Sequence, residues 1–75
     1  MLTKNEFISS VMSEVAHKPK EWRNGQAVYN YTAALFGDVA RIVHTEYDID
    51  CFYRDNDIDM FLDKCYEVYQ GLQKQ

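Results

Sequence analysis

Apolar positions repeat at helical spacing along most of this chain. Phe7, Ile8, Val11, Met12 and Val15 share one stripe of a helix. Thr3-Lys4-Asn5-Glu6 ahead of them reads as a capping box, so a first helix is expected over Lys4–Ala16. His17-Lys18-Pro19-Lys20 interrupts the pattern, because the residue before proline is pushed away from helical geometry. With Pro19 in its first turn, a second helix is expected over Lys20–Phe36, ended by Gly37. It is apolar on two sides. Trp22, Tyr29, Ala33 and Phe36 form one face, and Val28, Tyr31 and Leu35, flanked by Ala27 and Ala34, form the other. Gly25 inside a helix costs about 1 kcal/mol relative to alanine, which a close helix crossing would explain.

Asp38 is expected to cap a short third helix holding Val39, Ile42 and Val43 and ending near His44. Thr45 to Arg54 has no steady period and reads as an ordered loop containing Tyr47, Ile49, Phe52 and Tyr53. Asp55 or Asn56 then caps a fourth helix running to about Leu72. Its stripe of Ile58, Phe61, Leu62, Cys65, Val68, Tyr69 and Leu72 is the cleanest in the chain, with Asp59, Asp63 and Glu67 opposite. The fold class expected is all-α, a compact bundle of three to four helices in a single domain over residues 1–75.

Charge changes the picture more than size does. The formal net charge of the 75 residues is −4. Glu6, Glu14 and Glu21 are outnumbered by Lys4, Lys18, Lys20 and Arg23 up to Gly37. Beyond it stand Asp38, Glu46, Asp48, Asp50, Asp55, Asp57, Asp59, Asp63 and Glu67, against Arg41, Arg54, Lys64 and Lys74. An acidic half repels phosphate backbones and attracts basic protein surfaces, so direct nucleic-acid binding is not expected. No apolar run reaches the ~18 residues of a membrane span, and there is no signal-peptide pattern. Two cysteines, Cys51 and Cys65, do not make a disulfide scaffold, so free thiols and a cytoplasmic setting are expected.

Catalytic and metal chemistry finds little support in these residues. Asp55-Asn56-Asp57-Ile58-Asp59 resembles the opening of an EF-hand loop, but Met60 and Tyr66 stand where that loop needs its glycine and its bidentate glutamate. His17, His44, Cys51 and Cys65 lack the close pairing of zinc ligands. Ser9, Ser10 and Ser13 lie on a helix without a glycine-bounded elbow, and acids beside Cys51 oppose a thiolate. No phosphate-cradling glycine loop is present. An enzyme, a metal and a cofactor are therefore not expected. Arg23, Gln26 and Asn30 are expected to be structural, the two amides tying the Thr45 to Tyr53 loop to the second helix and Arg23 pairing with one of its acids.

The stretch Arg23-Asn24-Gly25-Gln26-Ala27-Val28-Tyr29-Asn30, followed by Thr45-Glu46-Tyr47-Asp48 and Asp50-Cys51-Phe52-Tyr53, resembles a group of short proteins carried by phages and other mobile elements. Their pattern is an arginine, then Gly-Gln-Ala, an aromatic and Asn, and later a Thr-containing loop ending in Asp-Pro-Phe-Tyr. Cys51 stands where that proline is expected, so the loop lacks the rigidity proline would give. The likeness spans about Trp22 to Leu62. It implies a phage or prophage accessory gene acting in the host cytoplasm, and no catalytic residues.

The expectation from these readings is a non-enzymatic module that binds a protein partner with a basic surface. In a mobile-element setting that partner would be a host-defence component such as a CRISPR effector. The binding residues expected are Glu46, Asp48, Asp50, Asp57, Asp59 and Asp63, with Tyr31 and Tyr66, because tyrosine covers interface area at low entropic cost. No membrane contact is expected. The alternative is a small self-associating structural or regulatory protein, and a homo-oligomer is compatible with either reading.

Overall fold

The computed structural model describes residues 1–73, which form four helices and no strand. Helix α1 spans Lys4–Val15, α2 Asn24–Phe36, α3 Val39–Glu46 and α4 Ile58–Gln73, with a 3-10 turn at Asp55–Asp57 leading into α4. The fold is an all-α bundle, 38 × 24 × 17 Å in extent. No helix among the described residues is long and apolar enough to cross a membrane.

The start of α1 follows the capping box. Thr3 N–H donates to Glu6 Oε1 at 2.8 Å, and Glu6 N–H donates to the Thr3 hydroxyl at 3.2 Å. The first of these bonds, helped by the Thr3 hydroxyl beside the carboxylate, holds the exposed Glu6 carboxyl below its usual pKa. Phe7, Val11 and Val15 are buried, whereas Met12 sits at the rim of the stripe.

Helix α2 begins at Asn24, four residues later than the periodicity predicts. Pro19 to Trp22 closes a separate turn, with Trp22 N–H on the Pro19 carbonyl at 3.1 Å, and Arg23 is extended. The start of α2 is set from far along the chain: the Asp55 carboxylate accepts the Gly25 N–H at 2.9 Å. Asp55 thus caps α2, where the sequence offers it as a cap for α4. Gly25 is required, but not by a helix crossing. A Cβ there would overlap the Cys51 carbonyl oxygen and lie 2.8 Å from Asp55 Oδ1. At Gly25 the 50s loop, not a helix, lies against α2.

Gly37 ends α2 with a positive φ of 67°, a backbone conformation that glycine adopts readily. Asp38 gives no side-chain cap to α3. Its carboxylate lies 3.6 Å from Arg41, and its carbonyl accepts the Ile42 N–H. Helix α3 continues past His44 to Glu46, so Thr45 and Glu46 are helical, and the Thr45 hydroxyl donates back to the Arg41 carbonyl. Asp48, at φ 56°, turns the chain away.

Helix α2 packs against the other three. Its Ala27, Val28 and Thr32 are buried, and the Thr32 hydroxyl donates to the Val28 carbonyl. Val28 therefore belongs to the core, Tyr31 is half-buried against Trp22, and Leu35 with its flanking Ala34 is exposed. Phe61, Leu62 and Cys65 of α4 complete the core, with Val39, Ala40 and Val43 of α3 and Cys51 of the loop. Ile58, Val68 and Tyr69 pack at its edge, while Leu72 is exposed.

Candidate partner-binding surface

The chain's two sequence-distant motif segments meet at the start of α2. Arg23 donates to the Phe52 carbonyl at 2.7 Å and lies over the Tyr53 ring at 5.5 Å. The Cys51 thiol donates to the Gly25 carbonyl at 3.3 Å. Arg23 thus reaches the loop as expected, but through a carbonyl and a ring and not an acid. Among the described residues, Gln26 and Asn30 make no side-chain bond to the loop; the backbone of Gly25 takes that part. Burial, aided by Asp50, pushes the Cys51 thiol up to about 12, and burial raises Cys65 as well. Both thiols are packed inside and uncharged.

The acids of the second half divide by what the fold does with them. Asp55 caps α2. Asp50 accepts the Phe52 N–H at 2.9 Å and lies 3.9 Å from His44 Nδ1, which is shielded from solvent without a hydrogen-bond partner. Asp63 pairs with Lys4 at 2.8 Å, tying α4 to α1 in an exposed bridge worth at most about 1 kcal/mol. Asp57 and Asp59 stand at the N-terminal end of α4, where the helix dipole favours negative charge.

Glu46 and Asp48 have no such reason. Both are exposed at the C-terminal end of α3, where the dipole disfavours negative charge. Asp48 also holds the left-handed conformation that ends α3, which asparagine takes as readily as aspartate, so the turn accounts for the short polar side chain and not for its charge. Between them Tyr47 is 50% exposed.

Tyr47 lies at the mouth of a groove of about 400 Å³ between α3 and α4. Helix α3 runs back along α4, since Phe36 just before it meets Tyr69 while Tyr47 at its end meets Lys64. Ile42, Val68 and Leu72 give the groove apolar walls, and Gly71 leaves it open. The charged lining residues are Lys64 and Glu67, 3.1 Å apart, with the Lys64 ammonium 4.9 Å from the centre of the Tyr47 ring. Met60, 57% exposed, continues the same face of α4 one turn before Lys64. The lining offers apolar contact and an ion pair.

The two tyrosines expected at the surface, Tyr66 and Tyr31, lie elsewhere. Tyr66 donates its hydroxyl to the Leu2 carbonyl at 2.8 Å, and Tyr69 accepts the Leu2 N–H at 3.1 Å, so the pair clasps the start of the chain. Tyr31 lies against Trp22. Neither lines the groove. Sequence reasoning missed Tyr47, Gly71 and Met60 as surface features. A glycine and a methionine off the apolar stripe of a helix were the available signals.

Comparison of the chain with protein-family models, curated proteins and solved structures gives no match.

Proposed function

We propose that this chain is a non-enzymatic protein-binding module that docks an acidic, tyrosine-bearing surface onto a basic surface of a partner protein. The observation that carries this reading is the placement of Glu46 and Asp48 at the unfavourable end of α3 on either side of an exposed Tyr47. Charges that the fold disfavours are explained by a partner that attracts them. The resemblance to short mobile-element proteins supports a phage or prophage source. The partner is then a host-defence component, such as a CRISPR effector, whose nucleic-acid channel is basic. The meeting of Arg23 and Gly25 with Cys51 and Phe52 supports treating the resembling segments as one structural unit.

Affinity capture from host lysate with the Glu46→Gln/Asp48→Asn variant as control tests this reading. A captured protein that the wild-type chain retains and the variant loses, and whose activity falls when the chain is added, is the expected result. Equal capture by both, or full activity of the captured enzyme, contradicts it.

A further inference from the structure

We propose that the α3–α4 groove receives one face of a basic amphipathic helix from the partner protein, an inference that rests on the reading above and specifies its occupant. Three observations converge on it. The groove is an open trough with apolar walls from Ile42, Val68 and Leu72, and an adaptable methionine, Met60, extends its α4 side. Its charged surroundings are mainly acidic: Glu67 lies in the lining, and Glu46 and Asp48 flank Tyr47. Lys64, the base among the described lining residues, is taken up by Glu67 and the Tyr47 ring, which leaves Glu46 and Asp48 as the unpaired charges at the rim. Gly71 is the third. A Cβ at this position would meet nothing within 4 Å among the described residues, so none of them demands a glycine. Glycine nonetheless weakens a helix relative to alanine. Its effect here is to leave the groove lining free of a side chain at this position, open to a close backbone or a large apolar side chain.

Charge selects the occupant. A second copy of this chain would bring acidic rim against acidic rim. A lysine- or arginine-bearing helix places apolar residues between α3 and α4 and sets its cations beside Glu46 and Asp48. The C-terminal end of α3 adds its partial negative charge at the same place.

The test uses the full chain, isotopically labelled, and three synthetic peptides of about fourteen residues, roughly four helical turns. One carries leucines at the i, i+3, i+4, i+7 spacing of one helical face and lysines elsewhere, to give an amphipathic helix; one replaces its lysines by glutamate; one replaces its leucines by serine. The leucine–lysine peptide is expected to shift the amide resonances of Tyr47, Lys64, Val68, Gly71 and Leu72. The Gly71→Leu variant should bind it at least about tenfold more weakly without losing thermal stability. Leu72→Ser and Tyr47→Ala, both at exposed positions, should weaken it too, which keeps the test open if Gly71→Leu disturbs the helix. Binding that is equal for the glutamate or the serine peptide, shifts confined to other surfaces, or undiminished affinity in all three variants overturns the inference. So does a concentration-dependent dimer whose shifts fall in the groove. If the captured host partner is lost by Glu46→Gln/Asp48→Asn but kept by Gly71→Leu, the acidic surface stands and the groove occupant does not.

Discussion

At the scale of single residues, Gly25 carries more of this fold than its size implies. Its N–H takes the Asp55 carboxylate, its carbonyl takes the Cys51 thiol, and its missing side chain admits the Cys51 carbonyl. The obstacle to any larger residue is backbone, which cannot rotate aside as a flexible side chain can. Gly25→Ala should therefore force the 50s loop off α2, breaking both bonds and exposing Cys51. A loss of roughly 3 kcal/mol or more is expected, since overpacking and two disrupted hydrogen bonds act together. Urea unfolding followed by circular dichroism measures it. A stability equal to or above wild type would mean that the loop has room to shift. The sequence shows a helical glycine and its expected cost. The partner that requires it lies 26 residues away in the loop, and no local pattern could name it.

At the scale of elements, helix interiors were readable, and helix starts only where the cap is local. The α4 stripe places Phe61, Leu62 and Cys65 in the core because a period of about 3.6 residues needs no tertiary information. The α1 start was equally legible, because Thr3 and Glu6 satisfy each other locally. The α2 start depends on Asp55, a tertiary cap, and so falls at Asn24 instead of Lys20. Likewise the groove is made by two helices together, and only its off-stripe glycine and methionine show in one dimension. Two predictions belong here. Leu62→Ala should cost roughly 2–5 kcal/mol, because Leu62 is nearly fully buried and the cavity cannot collapse between four helices. A denaturation midpoint within error of wild type would place Leu62 outside the core.

The second concerns the α1 capping box and pH. The folded-state pKa of Glu6 is depressed, so its stabilising contribution is present above the unfolded value near 4.5 and is lost as pH falls through the folded value. Glu6→Gln should therefore lower thermal stability at neutral pH and leave it closer to wild type at acid pH. The two melting curves, recorded across the acid range, should converge as pH drops. A constant gap between them would show that the carboxylate charge contributes nothing to the cap.

At the scale of the whole molecule, the excess acid of the second half resolves into acids the fold uses and acids it tolerates. Asp50, Asp55 and Asp63 have partners inside the chain, and Asp57 and Asp59 sit at a favourable helix end. Removing Asp63 would also release Lys4, so a test of surface charge is cleaner at Glu46 and Asp48. Neutralising both as Glu46→Gln/Asp48→Asn relieves an unfavourable dipole interaction, worth roughly 0.3–1 kcal/mol per charge at an exposed helix end. The variant should be as stable as wild type or slightly more so. Its association with a basic partner should nevertheless slow, because steering depends on long-range attraction that salt screens over about 8 Å at physiological ionic strength. Wild-type on-rates should fall as salt rises, and the variant's should fall less steeply, while off-rates change little. Stopped-flow or surface-based kinetics with the captured partner, across a salt series, separates the two constants. If the variant is less stable, Glu46 and Asp48 are structural. If both chains show the same salt slope, encounter is steered by other charges, with Asp57 and Asp59 the next pair to neutralise. A variant that keeps wild-type stability and loses salt sensitivity would place the docking charge at the end of α3, beside Tyr47 and the groove.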